Sequence, residues 1–453
     1  MRRAPRSVAL VAASCWLASC VGSPIAAPSA APSAAPTAAK PPVSLPSVAP
    51  TATPIPQPAD KPPASFARAD LSRGEARGVL VADGLTLAAS GLVTGEYVDP
   101  NRGPSPIPHG LSFESGSWTS QWTAVSFPFD ELVASWNADT PGGTWIQIEM
   151  QARGAGRETK AYTMAIWASG DGDIHRTSVP GQQDADGDVN IDTFVRAKTA
   201  PALDAYRLRV TLYRRQGLRT DMAPTPTVRM LAAMTSAAFA YAIPSPFEGA
   251  AVDLPVPTLS QEIHTGEFPQ YDGGGEAWCS PTSTSMVLSF HGAGPTPDDL
   301  TAFPGPKYDD PMVDYAARYT YDWNYKGAGN WPANVAYATR FGLEGFVTRL
   351  RSLNEAQRFI DASIPLVASI NGALPGFLGG TTNGHLLVIR GFTANGDVIT
   401  NDPAAKSDPE TRKVYRRADF ERVWLGGSAG IVYVMYPKGK ALPPNVPDLP
   451  ANW

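Results

Sequence analysis

The sequence predicts a multidomain chain: an N-terminal all-β sandwich over residues 64–243, then a C-terminal α+β domain over residues 258–440. Two observations predict this. In the first region apolar and polar residues alternate at period two between Gly- and Pro-rich turns, as expected of half-buried antiparallel strands. After a proline-rich break, helix-period segments come first and strand segments follow, the pattern of an α+β domain. The 453 residues suffice for two or three domains, and the net charge of −5 offers no basic surface for nucleic acid.

Residues 1–20 have the form of a signal peptide. Met1-Arg2-Arg3-Ala4-Pro5-Arg6 is basic, and the apolar run Val8 to Ala18 is too short to span a bilayer. The run ends in Leu17-Ala18-Ser19-Cys20, which resembles the bacterial lipoprotein box, whose Cys becomes the acylated N-terminus. Cys15 fits less well, having Ala12 where a larger apolar residue is usual. The expectation is lipidation at Cys20 and an envelope protein held to its membrane only through lipid. Ordinary cleavage near Ala26-Ala27, with secretion, is the alternative. Cys279 is then the only thiol left in the mature chain, and an unpaired thiol in an exported protein is a candidate for reactivity. Residues 21–63 are rich in Ala, Pro, Ser and Thr, and read as an extended stalk without a core.

In the first domain Ile146, Ile148 and Met150 alternate with polar neighbours, as do Tyr162, Met164 and Ile166, and Tyr206, Leu208, Val210 and Leu212. Pro141-Gly142-Gly143 and Gly170-Asp171-Gly172-Asp173 mark turns. Asp184-Ala185-Asp186-Gly187-Asp188 with Asn190 and Asp192 suggests a calcium loop, but its glycine is misplaced, and a solvated polar turn is the expectation; no metal or cofactor is called for. Trp118, Trp122, Trp136, Trp145 and Trp167 pose a choice between core aromatics and a stacking platform for cell-wall glycan.

Residues 244–257, with several prolines, read as a linker, and residues 441–453 as a tail. The second domain opens on Gly273-Gly274-Gly275-Glu276 and then Trp278-Cys279-Ser280-Pro281-Thr282-Ser283, the start of a helix. Pro281 suits a first turn, hydroxyl side chains can cap its N–H groups, and Met286, Val287 and Phe290 make an apolar face. A thiol there sits at the positive end of the helix dipole, which favours the thiolate; the competing reading is a small buried core thiol. A helix through Val335 and Phe341, a capping box at Ser352 to Glu355, and strands at 365–370, 384–392, 398–403 and 431–434 follow. Loops around Tyr308 to Trp331 and Ala373 to Thr382 are expected to border a cleft.

Thiol-dependent acyl transfer needs an imidazole to move the proton and a third group to orient the imidazole. His385 opens one strand and Asp402 ends the next. His291 lies at the far end of the Cys279 helix, His109 and His175 lie in the other domain, and His264 is the rival base. One tension is geometric. A two-residue turn at Asn395-Gly396 would leave His385 and Asp402 four residues out of register, ~13 Å along the strand. The site requires a longer loop or a bulge.

Together the Trp278-to-Ser283 helix start, Gly384-His385 and Asn401-Asp402-Pro403 resemble a bacterial papain-like cysteine peptidase, of the bacteriocin-processing, double-glycine-leader peptidase family in its stand-alone exported branch. The resemblance covers the C-terminal domain. It implies a papain-like fold, a Cys279–His385–Asp402 triad, no cofactor, and a Gln ahead of the Cys as an oxyanion donor. Gln261, in Ser260-Gln261, is the choice by that resemblance, with Gln270 nearer in sequence; Ser280 stands where many relatives have Gly. The expected activity is hydrolysis of peptide or cell-wall peptide amides. Alternatives are an amidase or acyltransferase on the same triad, or a catalytically silent binding lipoprotein.

Overall fold

The computed structural model describes residues 63–101, 110–217, 224–239, 241 and 243–453. The segment read as a signal peptide with Cys15 and the lipidation candidate Cys20, the segment read as a stalk up to residue 62, and His109 lie outside the described residues.

The chain has two domains, one strand-rich and one mixed. In the first, two antiparallel sheets form. One runs Gly187–Asn190, Thr193–Arg196, Glu131–Asp139, Thr227–Ser236, Gly84–Leu87, Val79–Ala82, with Ala64–Arg68 also on Thr227–Ser236. The other centres on Thr144–Gly154, Leu203–Arg215 and Gly110–Ser120. The alternation read from sequence decides which side chains face inward: Ile146, Ile148, Met150, Leu208, Val210 and Leu212 are all buried. Rings from the two sheets meet, Trp136 against Trp167 at 6.0 Å and Tyr162 against Phe194 at 4.9 Å.

The tryptophans do not form a stacking platform. Trp118, Trp136, Trp145 and Trp167 are buried in the core, and the Trp122 ring carries the guanidinium groups of Arg153 and Arg207 at 4.5 and 4.7 Å. The Asp184 turn uses its own carboxylates: Asp184 accepts from Tyr162 Oη and from the N–H groups of Asp186 and Gly187, and Asp186 pairs with Arg157.

The second domain places a sheet in the order Leu343–Arg349, Ile431–Pro437, Leu366–Ala373, Thr381–Phe392, Val398–Asn401, Arg412–Tyr415 behind its helices. Cys279–Phe290 packs on Thr381–Phe392, and Trp331–Ala338 on Leu343–Arg349. The segment read as a linker is part of this domain: Val252–Asp253 pairs with Gly391 and Phe392 as an edge strand. The segment read as a tail is inserted as well. Asn452 is fully buried, donating to Arg349 O at 2.8 Å and Glu355 at 2.9 Å, and Trp453 packs on Phe359.

The two domains share one hydrophobic core. Phe66 stacks on Phe346 at 4.3 Å, and Val347 N–H donates to Ser135 at 2.9 Å. Within the segment Tyr308 to Trp331, the part from Tyr321 to Trp331 is held largely by the first domain. Arg176 is buried and donates to the carbonyls of Ala168, Gly170, Arg318 and Tyr321. Asp322 accepts from Ser178, and Asp192 accepts from Trp331 N–H at 2.8 Å, at the start of the Trp331–Ala338 helix. Arg318 and Asp171 close the ring with a two-point pair at 2.8 and 2.9 Å.

Burial pushes the Asp192 carboxyl up to about 7, against the hydrogen bonds from Trp331 N–H and Thr193. Between the ordinary aspartate value of about 4 and this raised value, the folded state holds a proton that the unfolded state has released, so stability falls as pH rises across that window. Asp192→Asn is expected to flatten this part of the stability-versus-pH curve, measured by denaturant unfolding between those limits; a slope equal to the wild type's contradicts the assignment.

Candidate active site

Three glycines deliver the chain into the Cys279 helix. Gly273, Gly274 and Gly275 all have positive φ, and a Cβ on Gly274 would lie 1.8 Å from the His264 carbonyl oxygen. The helix Cys279–Phe290 differs from expectation in two respects. Residues 279–288 are all buried, not one face only, and its hydroxyl groups do not cap its start. They serve the surrounding elements: Ser280 Oγ bonds Tyr433 Oη at 2.9 Å, and Ser283 Oγ donates to Leu386 O at 3.1 Å. A helix enclosed on all sides needs such partners for its polar side chains. The residue before the helix, Trp278, makes no side-chain cap, and a 3-10 segment, Gly275–Trp278, runs directly into Cys279. Ser283 is one helical turn beyond Cys279, and Leu386 follows His385, so this bond locks the thiol-bearing turn beside the imidazole-bearing strand.

The register of the next hairpin resolves the geometric tension. The loop spans Ala394 to Gly396, closed by Thr393 N–H to Asp397 O at 2.9 Å, with Gly396 at φ 80°. Alone, this three-residue loop would put Asp402 on the opposite face from His385. A bulge at Arg390 inserts one more residue, so that Val388 faces Asn401 while Gly391 faces Ile399. Continuing the register sets Asp402 across from Leu387, two residues from His385 on the same face. His385 Nε2 then lies 2.8 Å from Asp402 Oδ1. The Arg390 side chain anchors the bulge, donating to Asp253 at 2.7 Å and to Asn401 at 2.9 Å.

Asp402 is 2% exposed. Its carboxylate also accepts from Tyr415 Oη at 2.5 Å and Ala404 N–H at 3.1 Å. Burial pushes this carboxyl up, but the His385 charge and hydrogen bond, with the Tyr415 and Ala404 donors, hold it below the usual aspartate value. A carboxylate only accepts, so the imidazole carries a proton on Nε2. Tyr415 was not singled out from sequence. Its phenol is pushed well up by burial and by Asp402. Only the pairing of Arg412–Tyr415 with Val398–Asn401 carries Tyr415 to this carboxylate.

Gln261 is buried and its backbone N–H donates to Pro403 O at 2.9 Å, directly after Asp402. Its side-chain Nε2 donates to Glu262 at 3.0 Å, and Glu262 is close enough to feel the charges of His385 and Asp402. Gln270 is exposed. His264, the rival base, is fully buried and committed elsewhere: its Nδ1 lies 2.7 Å from Glu267 and 3.3 Å from Asp314. Those three side chains bring ligand atoms within 4.8 Å of one another, and the hydrogen bond of the ring goes to Glu267. His291 ends the Cys279 helix, where burial lowers it to about 4. Cys279, at 6% exposure, sits on the helix that packs against the His385 strand.

Residues 253–429 match the family model described as Peptidase_C39 like family, and residues 64–236 match the Peptidase C39 N-terminal domain. No curated protein matches the chain. Among solved structures, one titled "Structure of infectious bursal disease virus Gt strain" is 11% identical, covering 37% of this chain and 32% of that one, with a TM-score of 0.18; a likeness this weak carries no argument.

Removing the Tyr415 hydroxyl takes one of three donors from a buried carboxylate. Tyr415→Phe is expected to cost about 1–3 kcal/mol at neutral pH. Because Asp402 is held low in the fold, its contribution is full above the ordinary aspartate range and is lost as pH falls through the lowered value. The deficit of the variant should therefore shrink in acid, read as the difference in unfolding midpoints; a deficit independent of pH would assign the loss to packing alone.

Proposed function

We propose, from the premise that this is a chain of the C39-type cysteine peptidase family, that it hydrolyses peptide bonds through Cys279, His385 and Asp402. The observation that carries the reading is the His385–Asp402 pair at 2.8 Å, set on the strand against which the Cys279 helix packs. In this mechanism Nδ1 of His385 takes the thiol proton, and the thiolate–imidazolium pair is favoured by the helix start. The sulfur attacks the scissile carbonyl carbon, and the carbonyl electron pair moves to oxygen. The Gln261 amide and the Cys279 N–H hold that oxyanion, each contributing roughly 3–4 kcal/mol. Collapse expels the amine, which receives the proton from His385. Water then attacks the thioester, gives its proton to Nδ1, and releases the acid and the thiol. Asp402 is a positioning residue throughout, keeping the other proton on Nε2.

The same reading takes the second domain as papain-like and the two facing sheets of the first as a sandwich that braces the Tyr321-to-Trp331 loop. It also takes the chain as exported and lipid-anchored at Cys20, on the strength of the basic start, the short apolar run and Leu17-Ala18-Ser19-Cys20.

Cys279→Ala should abolish both peptide cleavage and labelling by a thiol-directed acyl-enzyme probe, and equal labelling of the variant would end the proposal. Asp402→Asn should lower kcat by on the order of 10²–10⁴ with a smaller effect on KM, as a lost tautomer restraint does. Separately, Cys20→Ala should move the protein from the membrane to the soluble fraction and remove fatty-acid labelling; unchanged fractionation would refute the anchor.

A further inference from the structure

Outside the triad, His264, Glu267 and Asp314 bring three atoms of metal-ligand type together. His264 Nδ1 lies 2.7 Å from Glu267 Oε2 and 3.3 Å from Asp314 Oδ1. The side chains of His264 and Asp314 are buried, and that of Glu267 is 12% exposed. The ring hydrogen-bonds to Glu267. Asp314 Oδ1, on a residue only 1% exposed, accepts no hydrogen bond although it faces the same nitrogen. His264 Nε2 finds no partner either, so the ring's polar contacts among the described residues lie on the side of the two carboxylates. A buried carboxylate oxygen without a donor is costly, and a cation among the three atoms removes that cost.

The backbone builds this cluster from two elements. Glu267 N–H donates to His264 O at 3.0 Å, a turn that brings both side chains together. Asp314 comes from the first turn of the helix Pro311–Thr320, which packs on Cys279–Phe290. Gly266 N–H donates to Gly273 O at 2.7 Å, so the cluster stands at the neck of the loop that runs into Cys279, with the Trp278 ring 5.8 Å from that of His264. One imidazole nitrogen with two carboxylates suits a first-row divalent ion such as Zn²⁺, whereas Ca²⁺ and Mg²⁺ take oxygen ligands. Zn²⁺ bonds of about 2.0 Å set tetrahedral ligands about 3.3 Å apart. The His264–Asp314 pair already has that spacing, and the His264–Glu267 pair reaches it by opening about half an ångström when the ion replaces the ring proton. We infer that His264 Nδ1, Glu267 and Asp314 form a Zn²⁺-type metal site that ties the loop ahead of Cys279 to the helix packed against the thiol-bearing helix. The partly exposed Glu267 leaves the way in, and water completes the ion's coordination. The site is independent of the peptidase reading.

The test is calorimetric titration of the chelator-treated whole protein with ZnCl₂, in a Cys279→Ala background that removes the nearby thiol as a competing ligand. One equivalent should bind, and a free Zn²⁺ concentration about 100 times Kd should raise the unfolding midpoint by about 3 °C or more. Glu267→Gln and Asp314→Asn keep the shapes of the side chains and should each weaken Kd by about tenfold or more. CaCl₂ in the same series should leave the midpoint where it is. No saturable Zn²⁺ binding, a Kd unchanged in either variant, or an equal effect of Ca²⁺ overturns the site. If Asp314→Asn does not fold, Glu267→Gln at the rim decides by the same comparison. Because the background lacks the proposed nucleophile, none of these outcomes bears on peptide cleavage, and failure of the peptidase reading leaves the metal site standing.

Discussion

The pairing of Thr381–Phe392 with Val398–Asn401 is the constraint on which the candidate site depends. In a sheet, a slip of one residue sends every side chain to the other face. Here two departures from the shortest hairpin act together: a three-residue loop closed at Gly396, and a one-residue bulge at Arg390. Either one alone would separate the imidazole from the carboxylate. The bulge persists because Arg390 ties it to Asp253 and Asn401, and Asp253 in turn belongs to the edge strand that precedes the whole domain. A charged side chain, partly buried and fully engaged, thus holds backbone geometry that the hairpin by itself does not prefer.

From that register the rest follows in order. The carboxylate, once placed, is completed by Tyr415 and Ala404, which keep it ionised despite burial. Ser260 and Gln261 are sewn to the loop after Asp402 through Asp408 and Pro403. The Cys279 helix, enclosed on all sides, meets the His385 strand through Ser283. The first domain enters at one remove: Arg176, Ser178 and Asp192 grip the loop that leads into Trp331–Ala338, a helix packed against both the Cys279 helix and the sheet. Two domains sharing one core in this way are expected to fold and unfold as a coupled pair.

Much of the second domain was legible locally. Cys279 at a helix start after three glycines, His385 after Gly384 and Asp402 before Pro403 are marked by punctuation that needs no tertiary knowledge. The hydroxyls of the Cys279 helix were misread because capping is judged from neighbours in sequence, whereas these side chains answer to Tyr433 and Leu386. The contacts of Tyr321 to Trp331 with the first domain were not legible either, because aromatic and Gly-rich composition fits a substrate loop and a docking loop equally well. The terminal segment at 441–453 reads as a tail because Pro, Asn and Asp mark irregular backbone, and irregular backbone can still be buried when Arg349, Arg351 and Glu355 satisfy it.

The sequence by itself determined the period-two strands of the first domain, the α+β order of the second, the residue types available for thiol chemistry, and their place at element ends. These follow from local sterics and hydrophobic periodicity, which act over a few residues. Only the tertiary structure decided that His385 and Asp402 share a face, that Tyr415 completes the carboxylate's hydrogen bonds, and that His264 is held beside Glu267 and Asp314. Each of these depends on which strands pair and in what register, a matter of long-range contacts and single-residue offsets that no window of sequence contains.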